Sequence, residues 1–265
     1  MKVGFIGLGN MATAIIGGIL QKQAVAPEDI IGSDVQETAR EKIKTEYNIT
    51  TVTNNKDVAS QVDILFLAVK PIFVPVVVSE IKESVREETI IVSIVAGKTL
   101  EYLSDLFESS DAKIVRCMPN TPALVLEGCT GVCANGNVTD GELNTVLKLL
   151  RCFGAAYIVQ ESMMDIVVGI SGSSPAYVFM FIEAMADAAV AEGMPRAQAY
   201  NFAAHAVLGS AKLVLETGKH PGELKDMVCS PGGTTIQAVK VLEEMGLRAT
   251  VIDAVEACIH KSRQL

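Results

Sequence analysis

Closely spaced cysteine pairs are missing from this sequence. Its six cysteines, Cys117, Cys129, Cys133, Cys152, Cys229 and Cys258, form no C-x-x-C pair, and its three histidines lie far from them along the chain. Metal-ligand spacing is therefore lacking, so no metal site and mostly buried, reduced thiols are expected. There is no long run of one charge sign either: the formal net charge of −9 is spread over a chain that is 20% charged and 49% hydrophobic. That argues against disorder, against a basic nucleic-acid arm and against an anionic membrane as partner, while leaving room for a local basic pocket for a small anion. No stretch reaches the roughly 18 uninterrupted apolar residues of a spanning helix. The opening Met1-Lys2-Val3-Gly4-Phe5-Ile6-Gly7 lacks the charged and apolar regions of a signal peptide, so a cytoplasmic location is expected. The positive mean hydropathy must then come from buried strands and helices and from subunit contacts.

The first half alternates short β-branched runs with amphipathic segments. Residues 2–7, 30–34, 63–68, 90–94, 113–118 and 131–134 read as strands, and residues 10–21, 37–47, 57–61, 73–85, 100–106 and 140–152 as helices. This is the pattern of a doubly wound parallel sheet, a Rossmann-type α/β domain over residues 1–161. From Ser162 the strand signal stops, and residues 162–265 read as an all-helical domain with helices over 175–192, 196–217, 222–227, 235–246 and 247–263. The segment 175–192 carries apolar residues on nearly every side, among them Val178, Phe179, Phe181, Ile182 and Met185. A small monomeric bundle could not bury them, which points to a helical dimer interface.

Gly7-Leu8-Gly9-Asn10-Met11-Ala12 is a G-x-G-x-x-A fingerprint that follows a strand directly and opens a helix. The first glycine permits the tight turn, the second lets a pyrophosphate approach the backbone, and small Ala12 lets helix and strand pack closely. The next strand ends in Ser33-Asp34, where a carboxylate can hold ribose hydroxyls and favour NADH. Ser33 is also a potential donor to a 2′-phosphate, while no arginine follows until Arg40, so NADPH and NADH both remain open. Ala68-Val69-Lys70-Pro71, Ala96-Gly97 and Pro119-Asn120-Thr121-Pro122 end later strands at the same sheet edge, where ligands bind in this architecture. Lys70 could meet phosphate or ribose, and the loop holding Asn120 could present backbone groups to a nicotinamide ring.

Two glycine and hydroxyl clusters open helices in the second half. Ser230-Pro231-Gly232-Gly233-Thr234-Thr235 makes a helix N-terminus suited to a carboxylate, although a plain N-cap by Thr234 or Thr235 explains it equally well. The other, Gly169-Ile170-Ser171-Gly172-Ser173-Ser174-Pro175, opens the first long helix; it has no strand-to-helix G-x-S-x-G elbow, so a serine hydrolase is discounted.

Taken with Arg116-Cys117-Met118-Pro119-Asn120-Thr121-Pro122, Ser171-Gly172-Ser173-Ser174-Pro175-Ala176-Tyr177 and His220-Pro221-Gly222-Glu223-Leu224-Lys225-Asp226, these blocks stand in the order found in pyrroline-5-carboxylate reductases, and the whole chain resembles that family. The resemblance implies a Rossmann domain followed by a helical dimerisation domain, a homodimer or larger homo-oligomer, and reduction of 1-pyrroline-5-carboxylate to L-proline. It implies that Ser230, Gly233, Thr234 and Thr235 hold the substrate carboxylate and ring nitrogen, with the nitrogen on the Thr235 hydroxyl. Ser173 and Glu161 fall on the substrate side by the same resemblance, and Asn55, Lys70 and Ala96 line the dinucleotide. Ser174 stands where the family usually has glycine, and Met227 replaces a polar residue, which bears on fine specificity. A hydroxyacid dehydrogenase or imine reductase of the same plan is the nearest rival; the dehydrogenases place a lysine early in the helix, and residues 176–180 contain none. A dinucleotide sensor without catalysis would need no second anion-binding helix end.

Overall fold

A computed structural model describes residues 1–264. Eight short runs pair into one sheet: β1 (Val3–Ile6), β2 (Ile30–Ser33), β3 (Thr50–Val52), β4 (Ile64–Leu67), β5 (Ile90–Ser93), β6 (Lys113–Met118), β7 (Gly128–Ala134) and β8 (Gly154–Ile158). Their order is β3-β2-β1-β4-β5-β6-β7-β8. The chain steps outward from β1 to β3 and then returns to the other side of β1 with β4. That reversal creates the crevice where such sheets bind ligands.

Helices α1 (Asn10–Gln21), α2 (Glu37–Tyr47), α3 (Asn55–Ala59), α4 (Val74–Ile81), α5 (Leu100–Phe107) and α6 (Asp140–Leu150) cover the two faces. Because alternate strand residues point to opposite faces, Val3, Phe5, Phe66 and Val92 pack with Ile15, Ile19 and Ile43, whereas Ile6, Leu65, Leu67 and Ile91 pack with Val74, Val78 and Leu103. The rings of Phe5 and Phe66 stack 4.8 Å apart at the centre of the first layer.

Two expectations need correction. The sheet is doubly wound but not wholly parallel: β6 and β7 run antiparallel, while β7 and β8 are again parallel. Only the 3-10 turn Thr121–Val125 lies between β6 and β7, too short for the crossover that a parallel return requires, whereas α6 supplies one from β7 to β8. The strands β3 and β8 were also not foreseen. The first is a three-residue outer strand, and the second opens on Gly154-Ala155-Ala156, residues of low strand propensity.

Packing groups the chain into two compact units. One compact unit is Met1–Ser173 together with the chain from Cys258 onward, and the other is Ser174–Ala257. In the first unit the 3-10 turn Glu161–Met163, helix α7 (Met164–Val167) and the π-turn Val168–Gly172 follow β8. The end of the last helix packs there through Ser262 Oγ, which donates to Asp165 Oδ1 at 2.6 Å. The second unit holds α8 (Ser174–Ala191), α9 (Arg196–Thr217), α10 (Pro221–Val228), α11 (Thr234–Glu244) and most of α12 (Leu247–Ser262).

The second unit has little interior of its own. Its buried apolar residues are Ala186, Ala199, Ala203 and Leu224, while Phe179 and Phe202 are 63% and 67% exposed and Met180, Leu208, Leu215 and Ile252 face solvent as well. An apolar patch of that kind marks a surface that a partner covers. The helical run Glu161–Ala191 is long and apolar enough to cross a membrane by length and composition. This was not expected, because Glu161, Asp165, Glu183 and Asp187 interrupt the apolar run without lowering its average much.

Light scattering on the dilute protein is expected to give at least twice the 28.2 kDa chain mass; a stable, active monomer would contradict the reading of the α8 and α9 surface. A second test concerns a close backbone approach between β7 and β8. Gly154 lies at φ +145°, and a Cβ there would come within 2.0 Å of the Gly128 carbonyl oxygen. Gly154→Ala is expected to cost about 3 kcal/mol or more, read as a lower thermal midpoint; an unchanged midpoint would mean that β7 and β8 do not pair in this register.

Candidate cofactor and substrate sites

The chain leaves β1 through Gly7, at φ +93°, with its amide donating to the Ser33 carbonyl at 2.8 Å. A Cβ on Gly7 would lie 2.6 Å from the Ala68 carbonyl oxygen and 3.1 Å from Val69 Cγ1, so both the backbone angle and the neighbouring strand demand glycine. Ala68 and Val69 thus form the wall behind the turn. Gly9 is the N-cap of α1, with no side chain closing the helix end and nothing within 4 Å of where its Cβ would be. Amides of the first turn, including those of Asn10 and Met11, are left without helical acceptors, and Ala12 is buried against the sheet. Open space before uncapped amides at the positive end of a helix fits a dinucleotide pyrophosphate. Leu8 fixes the loop from within. Its amide donates to Asp34 Oδ2 at 2.8 Å and its side chain is buried against Gly32, so it anchors the loop.

At the end of β2 the candidate ligands are mostly tied to one another. Asp34 uses Oδ2 for Leu8 and Oδ1 for the Gln36 amide at 2.8 Å, yet its carboxylate retains lone pairs for ribose hydroxyls. Ser33 is fully buried and its hydroxyl donates to Asn55 Oδ1 at 2.7 Å. Its one hydroxyl proton therefore supports Asn55. The other end of the Asn55 amide donates to Glu80 Oε2 on α4 at 2.8 Å. Lys70 is exposed, directly before the 3-10 turn Pro71–Phe73, and makes no ion pair among the described residues. Ala96 is half-buried between β5 and α5, beside Gly97 at φ +72°.

Two expected ligand residues also have protein partners that join separate elements. Asn120 is buried; its Oδ1 accepts from the Cys129 amide at 2.8 Å and its Nδ2 donates to the Ser171 carbonyl at 2.9 Å, so the loop after β6 is pinned to β7 and to the π-turn. Glu161 Oε1 accepts from the Leu100 amide at 2.7 Å, at the start of α5, and from Arg116 Nη1 at 3.0 Å. Arg116 is buried on β6, and the pair joins β6, α5 and the segment after β8. Nearby, burial pushes the Cys133 thiol up to about 11, with the Glu161 carboxylate adding to the rise and Arg116 opposing it. Burial also raises Cys117 and Cys152, so these thiols stay protonated. All six cysteines are free, three of them buried and three half-buried.

Ser173, at the end of the π-turn, is half-buried and accepts from the Cys258 thiol at 3.2 Å. In the second unit, Ser230-Pro231-Gly232-Gly233 forms a turn closed by the Gly233 amide on the Ser230 carbonyl at 3.0 Å, with Gly232 at φ +71°. Proline followed by glycine at those two places is what such a turn demands. Gly233, and neither Thr234 nor Thr235, is the N-cap of α11, and no side chain caps it. A Cβ on Gly233 would meet Ser230 Oγ at 2.5 Å, so glycine leaves room for that hydroxyl beside the helix end. The amides of the first turn of α11 stand free of any side-chain cap, with the half-buried Thr235 among them. Such an end suits a small carboxylate.

Sequence reasoning gave no part to Arg116 or Glu80. A signal existed for Arg116: a lone cation within an apolar strand needs a buried partner. Glu80 lay on an ordinary helix face, and only the fold brings it to Asn55.

Residues 161–265 match the family model described as pyrroline-5-carboxylate reductase dimerisation, and residues 2–97 match one described as NADP oxidoreductase coenzyme F420-dependent. The chain is 54% identical over 264 residues to the pyrroline-5-carboxylate reductase of Escherichia coli strain K12, covering 100% of this chain and 98% of the relative. Among solved structures it is similar to a pyrroline-5-carboxylate reductase from Coxiella burnetii, with TM-score 0.92 and 33% identity over 99% of this chain and 97% of the other. It is likewise similar to the Plasmodium falciparum pyrroline carboxylate reductase solved with NADP bound, with TM-score 0.90 and 32% identity over 100% and 97% of the two chains. With the glycine loop, the uncapped helix end and full-length similarity in agreement, the chain belongs to the pyrroline-5-carboxylate reductase family.

Proposed function

We propose that this protein reduces 1-pyrroline-5-carboxylate to L-proline, the last step of proline synthesis, with NADPH or NADH as reductant. The observation that carries the reading is the pair of uncapped helix ends behind glycine: one follows the Gly7 turn and is shaped for a pyrophosphate, and the other follows Gly233 and is shaped for a carboxylate. A sensor would have use for the first alone.

The bound dinucleotide would supply hydride to the ring carbon. On the protein side, the free amides of the first turn of α1, including those of Asn10 and Met11, hold the pyrophosphate where Gly7 and Gly9 let it approach, while Asp34 and Asn55 take the ribose end. Lys70 and Ala96 line the same sheet edge. Ser230 Oγ and the amides after Gly233, including those of Thr234 and Thr235, hold the substrate carboxylate, and the Thr235 hydroxyl bonds the ring nitrogen. That nitrogen is basic enough to be protonated part of the time near neutral pH, and the resulting iminium accepts hydride without a strong protein acid. Positioning is then the main catalytic contribution. Glu161 and Asn120 support the site without touching substrate or cofactor, given their main-chain and Arg116 partners. We further infer that the apolar helices of the second unit are covered by a second copy of the chain rather than by lipid, and that the enzyme works in the cytoplasm, where its free thiols stay reduced.

Oxidation of NADPH or NADH on addition of 1-pyrroline-5-carboxylate tests the activity directly; no oxidation with either would reject it. Asp34→Ser removes the acceptor of the Leu8 amide as well as a negative charge. Its KM should rise about tenfold or more for both cofactors. A change confined to the NADPH-to-NADH ratio would mean that the carboxylate serves the ribose and not the loop. Thr235→Ala should stay folded and bind NADPH as before, while kcat/KM for the imine falls about tenfold to a hundredfold. Loss of thermal stability with kcat/KM intact would make Thr235 a structural residue and remove it from the substrate site.

A further inference from the structure

The end of β2 holds four polar side chains that a dinucleotide could meet, and three are committed. Ser33 is buried on Asn55, Asn55 is bonded at both ends of its amide, and Asp34 has a main-chain amide on each carboxylate oxygen. The fourth is Arg40. It lies one turn into α2, half-buried, and folds back so that Nη1 donates to the Asp34 carbonyl at 2.7 Å. A guanidinium has five N–H donors in a planar fork. That carbonyl takes one of them, and Arg40 makes no ion pair among the described residues. A positive charge with spare donors is therefore tethered beside the residue expected to hold the ribose.

Resting on the dinucleotide reading above, we propose that Arg40 is the specificity-determining residue that admits the 2′-phosphate of NADPH at a β2 end otherwise built for NADH. The opposing charges nearby are the carboxylates of Asp34, of Glu37 at the start of α2, and of Glu80 behind Asn55. Asp34 is turned toward the Leu8 and Gln36 amides, which share its negative charge, and Glu80 is occupied by the Asn55 amide. A forked contact to phosphate is charge-assisted on both sides and is strong enough to offset residual repulsion. NADH, with a plain 2′-hydroxyl, has no need of Arg40, so one surface serves both cofactors. The tether explains how an arginine inside a helix, and not in the loop directly after the strand, can do this work: the Asp34 carbonyl draws the guanidinium back to the sheet edge.

Calorimetric titration of the whole protein with NADPH, NADH and adenosine 2′,5′-bisphosphate tests the assignment. In Arg40→Ala the Kd for NADPH and for the bisphosphate should rise about tenfold to a hundredfold, while that for NADH stays within about twofold. Arg40→Lys, which keeps the charge and loses the fork, should fall between. In turnover the loss should appear in the KM for NADPH, with kcat and the KM for NADH unchanged. Equal weakening of NADPH and NADH would show that Arg40 only braces the end of β2, and unchanged binding of all three would show that it does not reach the ligand; either result overturns the proposal. If the unaltered protein binds neither NADPH nor NADH, the dinucleotide reading itself fails and takes the proposal with it.

Discussion

The contact on which the first unit depends is that of Gly7 with the carbonyl of Ala68. At φ +93°, with a strand backbone 2.6 Å from where a Cβ would be, the chain can turn between β1 and α1 only if residue 7 has no side chain. That turn places the α1 amides at the crevice between β1 and β4, sets Leu8 where its amide reaches Asp34, and brings β2 close enough for the Ser33 carbonyl to accept from Gly7. Loop, second strand and crevice are thus set together by one steric constraint. The Asp34 carboxylate then locks the arrangement from the far side.

Several polar residues expected to touch ligand also hold the residues or loops around them. Asn120 ties the loop after β6 to β7 and the π-turn, Glu161 ties α5 to β6, and Ser33 orients Asn55. The cause is common to Asn120 and Glu161, which pair with main-chain groups, whereas Ser33 meets a side chain. A loop at the carboxyl edge of a parallel sheet exposes backbone groups that no ladder satisfies, and side chains at strand ends are nearest to pair with them. A polar residue at the binding edge therefore has two employers, ligand and loop, and pattern alone does not separate them.

The second unit shows the opposite imbalance. Helices α8 and α9 pack together, and the side chains they bury are alanines, at positions 186, 199 and 203, so little apolar area is removed from water. Phe179, Met180 and Phe202 are left outside. Hydrophobic burial scales with the area removed from water, so such a unit gains its stability by association. The match of residues 161–265 to a dimerisation family assigns that association its place in the chain.

Local features were legible in the sequence. Helices α1, α2 and α9 match the expected limits because each has continuous 3.6-residue periodicity or a clear stop signal, and the central strands stand out as β-branched runs between glycine and polar breaks. The glycine fingerprint and the Pro231-Gly232 turn were readable for the same reason, since the backbone angles they require are properties of single residues. Contacts between distant segments were not. The antiparallel β7, the short β3 and β8, the Arg116 to Glu161 pair, Glu80 on Asn55 and the return of Arg40 to Asp34 all join residues that carry no mark of their partner in local pattern. Pairing energy there depends on which side chains the fold brings within hydrogen-bond range, so only the tertiary structure decided which of these polar residues pair with one another.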